Sequence, residues 1–595
     1  MDEKVVTHIH SESYLEQYGT KRIDHQSLVF RTNRPVESLN GRWYFSVDPY
    51  DTGLRANWPK DSLSPYWEKG TPWDYGWDEG ELVPVPSCWN TVDPKYHYYE
   101  GSAWYARRVH YQPQQPGERV FLRVGAANYD TKIFLNGAYL GYHQGGSTPF
   151  CLELTAYLQE DNLLQLCVNN ERFIERLPGR NTDWFNYGGL YRDVELIRLP
   201  SSFIQQLAIY LVPDGKFSSI KVEVELNQAG QAGADEMVYL EVPELDISVK
   251  SLVTGGRGEF TVQCQPELWR PENPKLYQCF VTYREDTIED RVGFRQIETR
   301  GTELLLNGEP IFLRGICVHE DDGELGKTTT EARIRRMFSD AQELGCNFVR
   351  LAHYPHSELA AEIADEVGIL LWEELPVYWT IDFTNTETYR DAENQLLELI
   401  KRDVNRASVI IWSIGNENAD TDDRLQFMRQ LLHAAKKQDP TRMVAAACIV
   451  EGDRLAHDLD LIGINEYYGW YNPDFSGLTQ LLKNWQPGKP VIVSETGADA
   501  LAGYHGPATE MFTEEYMARV YQRQIAITRE IDYIAGFSPW ILYDFRAPRR
   551  QNRFQQGYNR KGLIADDKRT RKLAFRVLQA YYRQRQAADR LPLAD

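Results

Sequence analysis

The stretch SVIIWSIGNENAD, residues 408–420, joins two patterns that seldom sit side by side. Ser408 to Ile414 is a short run rich in β-branched and aromatic residues, the composition of a strand buried on both faces. Gly415 breaks the run, and Asn416-Glu417-Asn418 comes at once. A carboxylate between two amides at the end of a buried strand has a functional rather than a folding reason, because burying an unpaired charge is expensive.

The flanking segments repeat the pattern. LRGICVH (313–319) is followed by a predicted helix after Thr330, with Ile334, Met337, Phe338, Ala341 and Leu344 on one face and Gly345 as its stop. NFVRLAHY (347–354) leads to a second helix with Ser357 at its cap and Ala360, Ile363, Ala364 and Val367 inward. GILLWEEL (368–375), a helix carrying Leu396, Leu397 and Ile400, and the 408–417 strand come next. RMVAAACI (442–449), LIGINEYY (461–468), PVIVSETG (490–497) and AGFSPWILYDF (535–545) complete the series. Eight strands alternating with helical patterns from about residue 296 to 595 predict a (β/α)8 TIM barrel, whose active site lies at the strand C-termini. Those ends carry His319-Glu320, His353, Glu373-Glu374, Asn416-Glu417, Asn465-Glu466-Tyr467, Glu495 and Trp540.

Glu417 ends the fourth strand and Glu495 the seventh, so both carboxylates face the barrel mouth. Two carboxyls about 5–5.5 Å apart form the pair of a retaining glycosidase, one acid/base and one nucleophile. Asn416 is placed to hold a sugar 2-hydroxyl, and Tyr467 to donate to the nucleophile. Glu373, Glu374 and Glu466 are expected to be structural or rim carboxylates. HEDDG (319–323) lacks the spacing of a HExxH or calcium loop, so no metal site and no cofactor is expected.

Upstream the chain is all β. RRVHYQ, RVFLRVG, KIFLNGAYLGYH and NLLQLCVNN are short strands before residue 200, with Asn136-Gly137 as a hairpin turn. IKVEVELN, GEFTVQC and LYQCFVTYRE between 201 and 295 suit one small immunoglobulin-like sandwich. The net charge of −21 disfavours nucleic acid and anionic membrane surfaces as partners. No apolar run is long enough to span a bilayer. MDEKVVTHIHSESYLEQYG lacks the plan of a secretory signal, and the eight scattered cysteines form no CxxC, so a reduced, cytoplasmic protein is expected. Fifteen Trp and 35 Tyr suit either sandwich cores or sugar-stacking surfaces. A non-catalytic carbohydrate-binding protein is therefore the alternative from a different class.

Together these motifs resemble glycoside hydrolase family 2, the group of β-galactosidases and β-glucuronidases. LNGRWYF (39–45), VPSCWN (85–90), YHQGGSTPF (142–150) and DWFNYGGLYRDV (183–194) resemble its N-terminal jelly-roll, sugar-binding-type domain, here 1–200. LWRPENPKLY (268–277) resembles the end of its immunoglobulin-like sandwich, here 201–295. LNGEPIFLRGICVHED, RLAHYPHSE, VIIWSIGNE, NEYYGWY and VSETG resemble its barrel, here 296–595. The resemblance implies Glu417 as acid/base and Glu495 as nucleophile. It also implies that His319, Asp321, His353, Asn416, Tyr467 and Trp540 line the sugar subsite, and that the sandwich domain lends Asp183 to the pocket.

GYNRKGL (557–563) resembles the Asn-x-Lys motif by which β-glucuronidases of that family hold the substrate carboxylate, here Asn559 and Lys561. NEYYGWY (465–471) resembles the same version of its segment and brings in Tyr471. The arginine usual four residues before that asparagine is Gln555 here; the nearest is Arg553, and Arg549, Arg550 or Arg553 of the basic run FRAPRRQNRFQQG (545–557) is expected to replace it or to read a different anion. The expected function is a retaining, exo-acting β-glucuronidase on a small saccharide or glycoconjugate with a terminal β-uronic acid. A β-galacturonidase or β-galactosidase remains open. Analogy with the family implies a homo-oligomer, dimer or tetramer.

Overall fold

The computed structural model describes residues 18–60, 81–228, 235–448 and 452–589. The stretch read for a secretory signal lies, up to residue 17, outside the described residues. All eight cysteines are free thiols, and only Cys264 is not buried.

The predicted barrel is closed, with strands β1 (Leu313–Val318), β2 (Phe348–Leu351), β3 (Leu370–Glu374), β4 (Val409–Asn416), β5 (Met443–Cys448), β6 (Ile462–Asn465), β7 (Val491–Glu495) and β8 (Ile534–Phe537) in that order. Every residue of these strands is buried, as parallel strands covered on both faces require. Helix α1 (Glu331–Leu344) begins where Thr330 accepts from the Arg333 N–H and ends at Gly345, at φ +100°. Helix α2 (Glu358–Val367) departs from expectation in one respect. Ser357 occupies its cap position but its side chain caps nothing; the Glu320 carboxylate instead takes the Ser357 N–H at 2.6 Å. Helices α3 (Thr386–Asp403), α4 (Asp422–Gln438), α5 (Phe475–Asn484), α6 (Glu514–Thr528) and α7 (Leu573–Asp589) complete the ring. Among the described residues the β5–β6 connection has only a 3-10 turn, Arg454–His457.

Strand alternation decides what faces the barrel interior. Phe348 and then Arg350 on β2, Leu370, Trp372 and then Glu374 on β3, and Ile411 and Ser413 on β4 share the inward face. Their lower members pack with Trp269, Leu304 and Leu306, which seal the bottom, so only the upper members are polar. Of the four register shifts between barrel strands, two lie at the mouth. One lies between Ser413 and Asn416 of β4, the other between Ile464 and Asn465 of β6 opposite β7. Each inserts one residue at the strand end and re-aims the next side chains toward the mouth.

The N-terminal part is a sandwich of a four-stranded and a six-stranded antiparallel sheet. In the latter, Asp130–Leu135 and Ala138–Gln144 are joined by the Asn136-Gly137 turn, with φ +52° and +79°. Next comes an immunoglobulin-like sandwich of three plus four strands between Phe203 and Val292. The first sandwich grips the barrel through an ion pair and hydrogen bonds. Arg123 meets Glu358 of α2 at 2.6 Å, and Glu398 of α3 lies 2.9 Å from His143 Nε2 and accepts from Thr148 at 2.5 Å. Its 171–186 loop also reaches over the barrel mouth, where the Asp382 N–H donates to the Ile174 carbonyl and the Phe185 N–H to that of Arg546.

Candidate active site

Glu495, the last residue of β7, is 5% exposed. Its Oε1 accepts from Arg350 Nη1 at 2.8 Å and its Oε2 from the Tyr467 hydroxyl at 2.8 Å. These donors fix both oxygens in place. Glu417 comes directly after the β4 bulge, with φ +53°. Trp379 Nε1 donates to its Oε2 at 2.7 Å and Asn465 Nδ2 to its Oε1 at 2.9 Å. Burial first, and then the charge of Glu495, push the Glu417 carboxyl up to about 7, against the pull of those two donors and of Arg350. One carboxylate thus stays clamped by donors while the other holds its proton near neutrality, the division of labour that acid-assisted displacement requires.

Arg350 organises the floor. It is fully buried, and besides Glu495 it binds Glu374 through Nε at 3.1 Å and Nη2 at 2.9 Å, and donates to Asn416 Oδ1 at 2.7 Å. Burial would raise the Glu374 carboxyl, but the Arg350 charge overrides it and holds it at about 2. Glu374 also takes the His353 backbone N–H at 3.0 Å and lies 3.0 Å from His353 Nδ1. That ring stacks on Trp184 at 5.4 Å and faces Trp540 at 4.7 Å, forming an aromatic wall. The Asn416 Nδ2, buried and without a partner among the described residues, is the donor left for a ligand hydroxyl.

A cationic corner closes the other side. Lys561, 1% exposed, donates to Asp499 at 2.8 Å and to the Tyr471 hydroxyl at 3.1 Å, which occupies two of its three N–H groups. Arg550 binds both oxygens of Asp183 through Nε at 3.0 and 3.1 Å. Asn559 Nδ2 donates to Asp183 at 3.2 Å, so the sandwich domain delivers this aspartate into the barrel mouth.

Three family models cover the chain. The sugar binding domain of glycosyl hydrolases family 2 matches residues 36–200, a second family 2 model 202–295, and the family 2 TIM barrel domain 297–586. A β-glucuronidase of Paenibacillus borealis is 30% identical over 92% of this chain and 96% of its own. The chain belongs to glycosyl hydrolase family 2. A β-glucuronidase of Felis catus is 27% identical over 93% of this chain and 91% of its own. Among solved structures, a β-glucuronidase of an uncultured Clostridium superposes with a TM-score of 0.82 at 26% identity, over 94% of this chain and 99% of that one. The Ruminococcus gnavus β-glucuronidase with D-glucuronic acid gives 0.82 at 25% identity, over 94% and 100%. The protein is a family 2 glycoside hydrolase, so a purely carbohydrate-binding role is set aside.

Within this family 2 site the structure brings Glu417, Glu495, Asn416, His353, Tyr467, Tyr471, Trp540, Asp183, Asn559 and Lys561 together. Two sequence expectations need correction. Arg553 is exposed and packs on the Phe554 ring at 4.6 Å, away from the pocket. Asn552 accepts from the Phe554 and Gln555 N–H groups, a turn that leaves Arg553 exposed; Arg550 is the arginine of this segment that hydrogen-bonds Asp183. Asp321 is spent on structure, accepting from the Tyr187 hydroxyl at 2.8 Å and the Arg546 N–H at 3.1 Å. His319 borders the pocket through Trp540 at 5.2 Å and binds the Tyr354 hydroxyl at 2.9 Å. Burial holds its imidazole well below the usual range, hence neutral.

Sequence reasoning missed Arg350, Trp379 and Asp499, and it named Asn465 and Arg550 without the partners they take here. A lone arginine inside the apolar run FVRL is the one signal that could have exposed Arg350. Trp379 and Asp499 lie in loops beyond the strands, where no periodicity points to them.

Proposed function

We propose that this enzyme is a retaining, exo-acting β-glucuronidase. The observation that carries the proposal is the buried Lys561 beside Tyr467, Tyr471 and Asn559, a cation set into the wall of a glycosidase pocket in an acidic protein. A neutral hydroxymethyl in that place leaves the remaining Lys561 N–H without an acceptor, whereas a uronic carboxylate satisfies it. The relatives named β-glucuronidase support the same substrate.

In this mechanism Glu417 gives its proton to the glycosidic oxygen while a Glu495 oxygen bonds to the anomeric carbon, the C–O bond breaks and the aglycone leaves as an alcohol. The glycosyl ester neutralises Glu495, which removes the charge that helped raise Glu417, and Glu417, now a carboxylate, takes a proton from water. That water's oxygen attacks the anomeric carbon, releases Glu495 and restores the β-configuration. Asn416 Nδ2 is the donor to the 2-hydroxyl.

The test compares kcat/KM on nitrophenyl β-glucuronide, β-galacturonide and β-galactoside. The glucuronide is expected to lead the galactoside by about 10³, roughly 4 kcal/mol, and to lose that lead in Lys561→Ala. A β-galacturonidase is the second reading, favoured by Arg550 standing where the usual arginine is absent. Galacturonide as the best substrate decides for it, and a leading galactoside refutes both.

A further inference from the structure

Resting on the glycosidase mechanism above, we propose that a cavity beside Trp379 is the leaving-group subsite and that it takes a negatively charged sugar residue. The cavity measures about 520 Å³ and lies between the sandwich-domain segments around 97–100 and 172–186 and the barrel rim at Trp379 and Arg549, a size within the roughly 300–1,000 Å³ of small-molecule sites.

Position identifies it with the aglycone. Glu417 protonates the glycosidic oxygen, so the departing group stands on the open side of that carboxyl. Trp379 touches both spaces: its Nε1 donates to Glu417 Oε2 at 2.7 Å and its ring lines the cavity. Trp184 is a second shared wall, stacked on His353 in the sugar pocket and lining the cavity as well.

The lining gives the chemistry. Arg172, Arg180 and Arg549 face it, and Glu100 is its one carboxylate. Arg172 donates to Thr182 Oγ1 at 2.6 Å and to Glu100 at 3.3 Å. Arg549 lies 5.0 Å over the Trp379 ring, 57% exposed, with its nearest carboxylate, Asp183, 3.9 Å away and already bound by Arg550. Arg180 is exposed and forms no ion pair among the described residues. Three guanidinium groups against one carboxylate, in a chain of net charge −21, form a local anion trap with the forked donors that suit carboxylate or sulfate. Tyr98, 77% exposed, and Phe185, 6.0 Å from it, add aromatic faces on which the C–H face of a pyranose packs. A neutral aryl aglycone uses the aromatic faces and leaves the arginines idle.

The test measures kcat/KM on four glycosides of the same β-uronic acid: the 4-nitrophenyl glycoside and disaccharides with a neutral hexose, a hexuronic acid or a sulfated hexose as leaving group. At least one anionic disaccharide is expected to exceed the neutral one by about tenfold or more, with the advantage shrinking at high salt. Arg180→Ala and Arg549→Ala are expected to erase that advantage while keeping wild-type activity on the nitrophenyl glycoside. Which anionic disaccharide leads assigns the source to a polyuronide or a sulfated saccharide. Equal rates for charged and neutral disaccharides overturn the proposal, and so does an equal loss on the nitrophenyl glycoside in both variants. Failure of the sugar assignment is separate: the nitrophenyl β-galactoside is then hydrolysed instead, and the same comparison on galactosides decides the subsite.

Discussion

Glu417 and Glu495 are the same residue type in opposite surroundings, and that contrast generates the pH behaviour. With the Glu417 carboxyl at about 7, kcat/KM is expected to fall as pH rises through about 7, because the proton owed to the leaving group is lost. The stability consequence has the same sign. An unfolded glutamate ionises near about 4.3, so between there and about 7 the folded state binds more protons, and stability drains away as pH rises through that window. Glu417→Gln is therefore expected to match the wild-type Tm at pH near 4 and to exceed it at pH near 8, while kcat collapses. An unchanged Tm difference at the two pH values contradicts the burial argument.

At the scale of elements, strand alternation separates two adjacent glutamates on β3. Glu374 points inward to Arg350 and His353. Glu373 points outward, 3.6 Å from Arg402 and near Asp403, and burial followed by the Asp403 charge raises its carboxyl well above the usual range. Glu373→Gln mimics that protonated acid and is expected to leave kcat/KM within about twofold. Glu374→Gln removes a charge that Arg350 and His353 require, with an expected loss of about 3–5 kcal/mol in stability or of most activity. Thermal unfolding and nitrophenyl glycoside kinetics on both variants check the pair. The 545–561 segment gives a second contrast: Arg550→Ala is expected to raise KM for the uronide by about tenfold or more, whereas Arg553→Ala is expected to match wild type. The reverse result would return Arg553 to the pocket.

Across the whole molecule, the sandwich domain is part of the site because it supplies Asp183 and Trp184. Its seat on the barrel runs through Glu398, buried on α3 and shared by His143, Thr148 and Asn394. Glu398→Ala leaves those groups unpaired, at a cost of about 1–3 kcal/mol. It is expected to lower Tm and to raise KM more than it lowers kcat, since Glu417 and Glu495 sit on the barrel alone. A change in kcat alone, with KM and Tm intact, goes against this coupling.

The sequence by itself determined the barrel, its eight strands in order and the placement of Glu417 and Glu495 at strand ends, because strand burial and strand ends are local patterns that motifs record. The placement of Asn559, Lys561 and Tyr471 at the pocket was legible too, though only through resemblance. The tertiary structure alone decided which of two neighbouring glutamates on β3 faces the pocket, that Arg350 ties Glu495, Glu374 and Asn416 into one network, and that Arg550 rather than Arg553 meets Asp183. It also diverted Asp321 to a structural contact. These outcomes depend on bulges, on a loop turned by Asn552 and on a domain more than 100 residues upstream, and each arises from contacts between segments that share no local pattern.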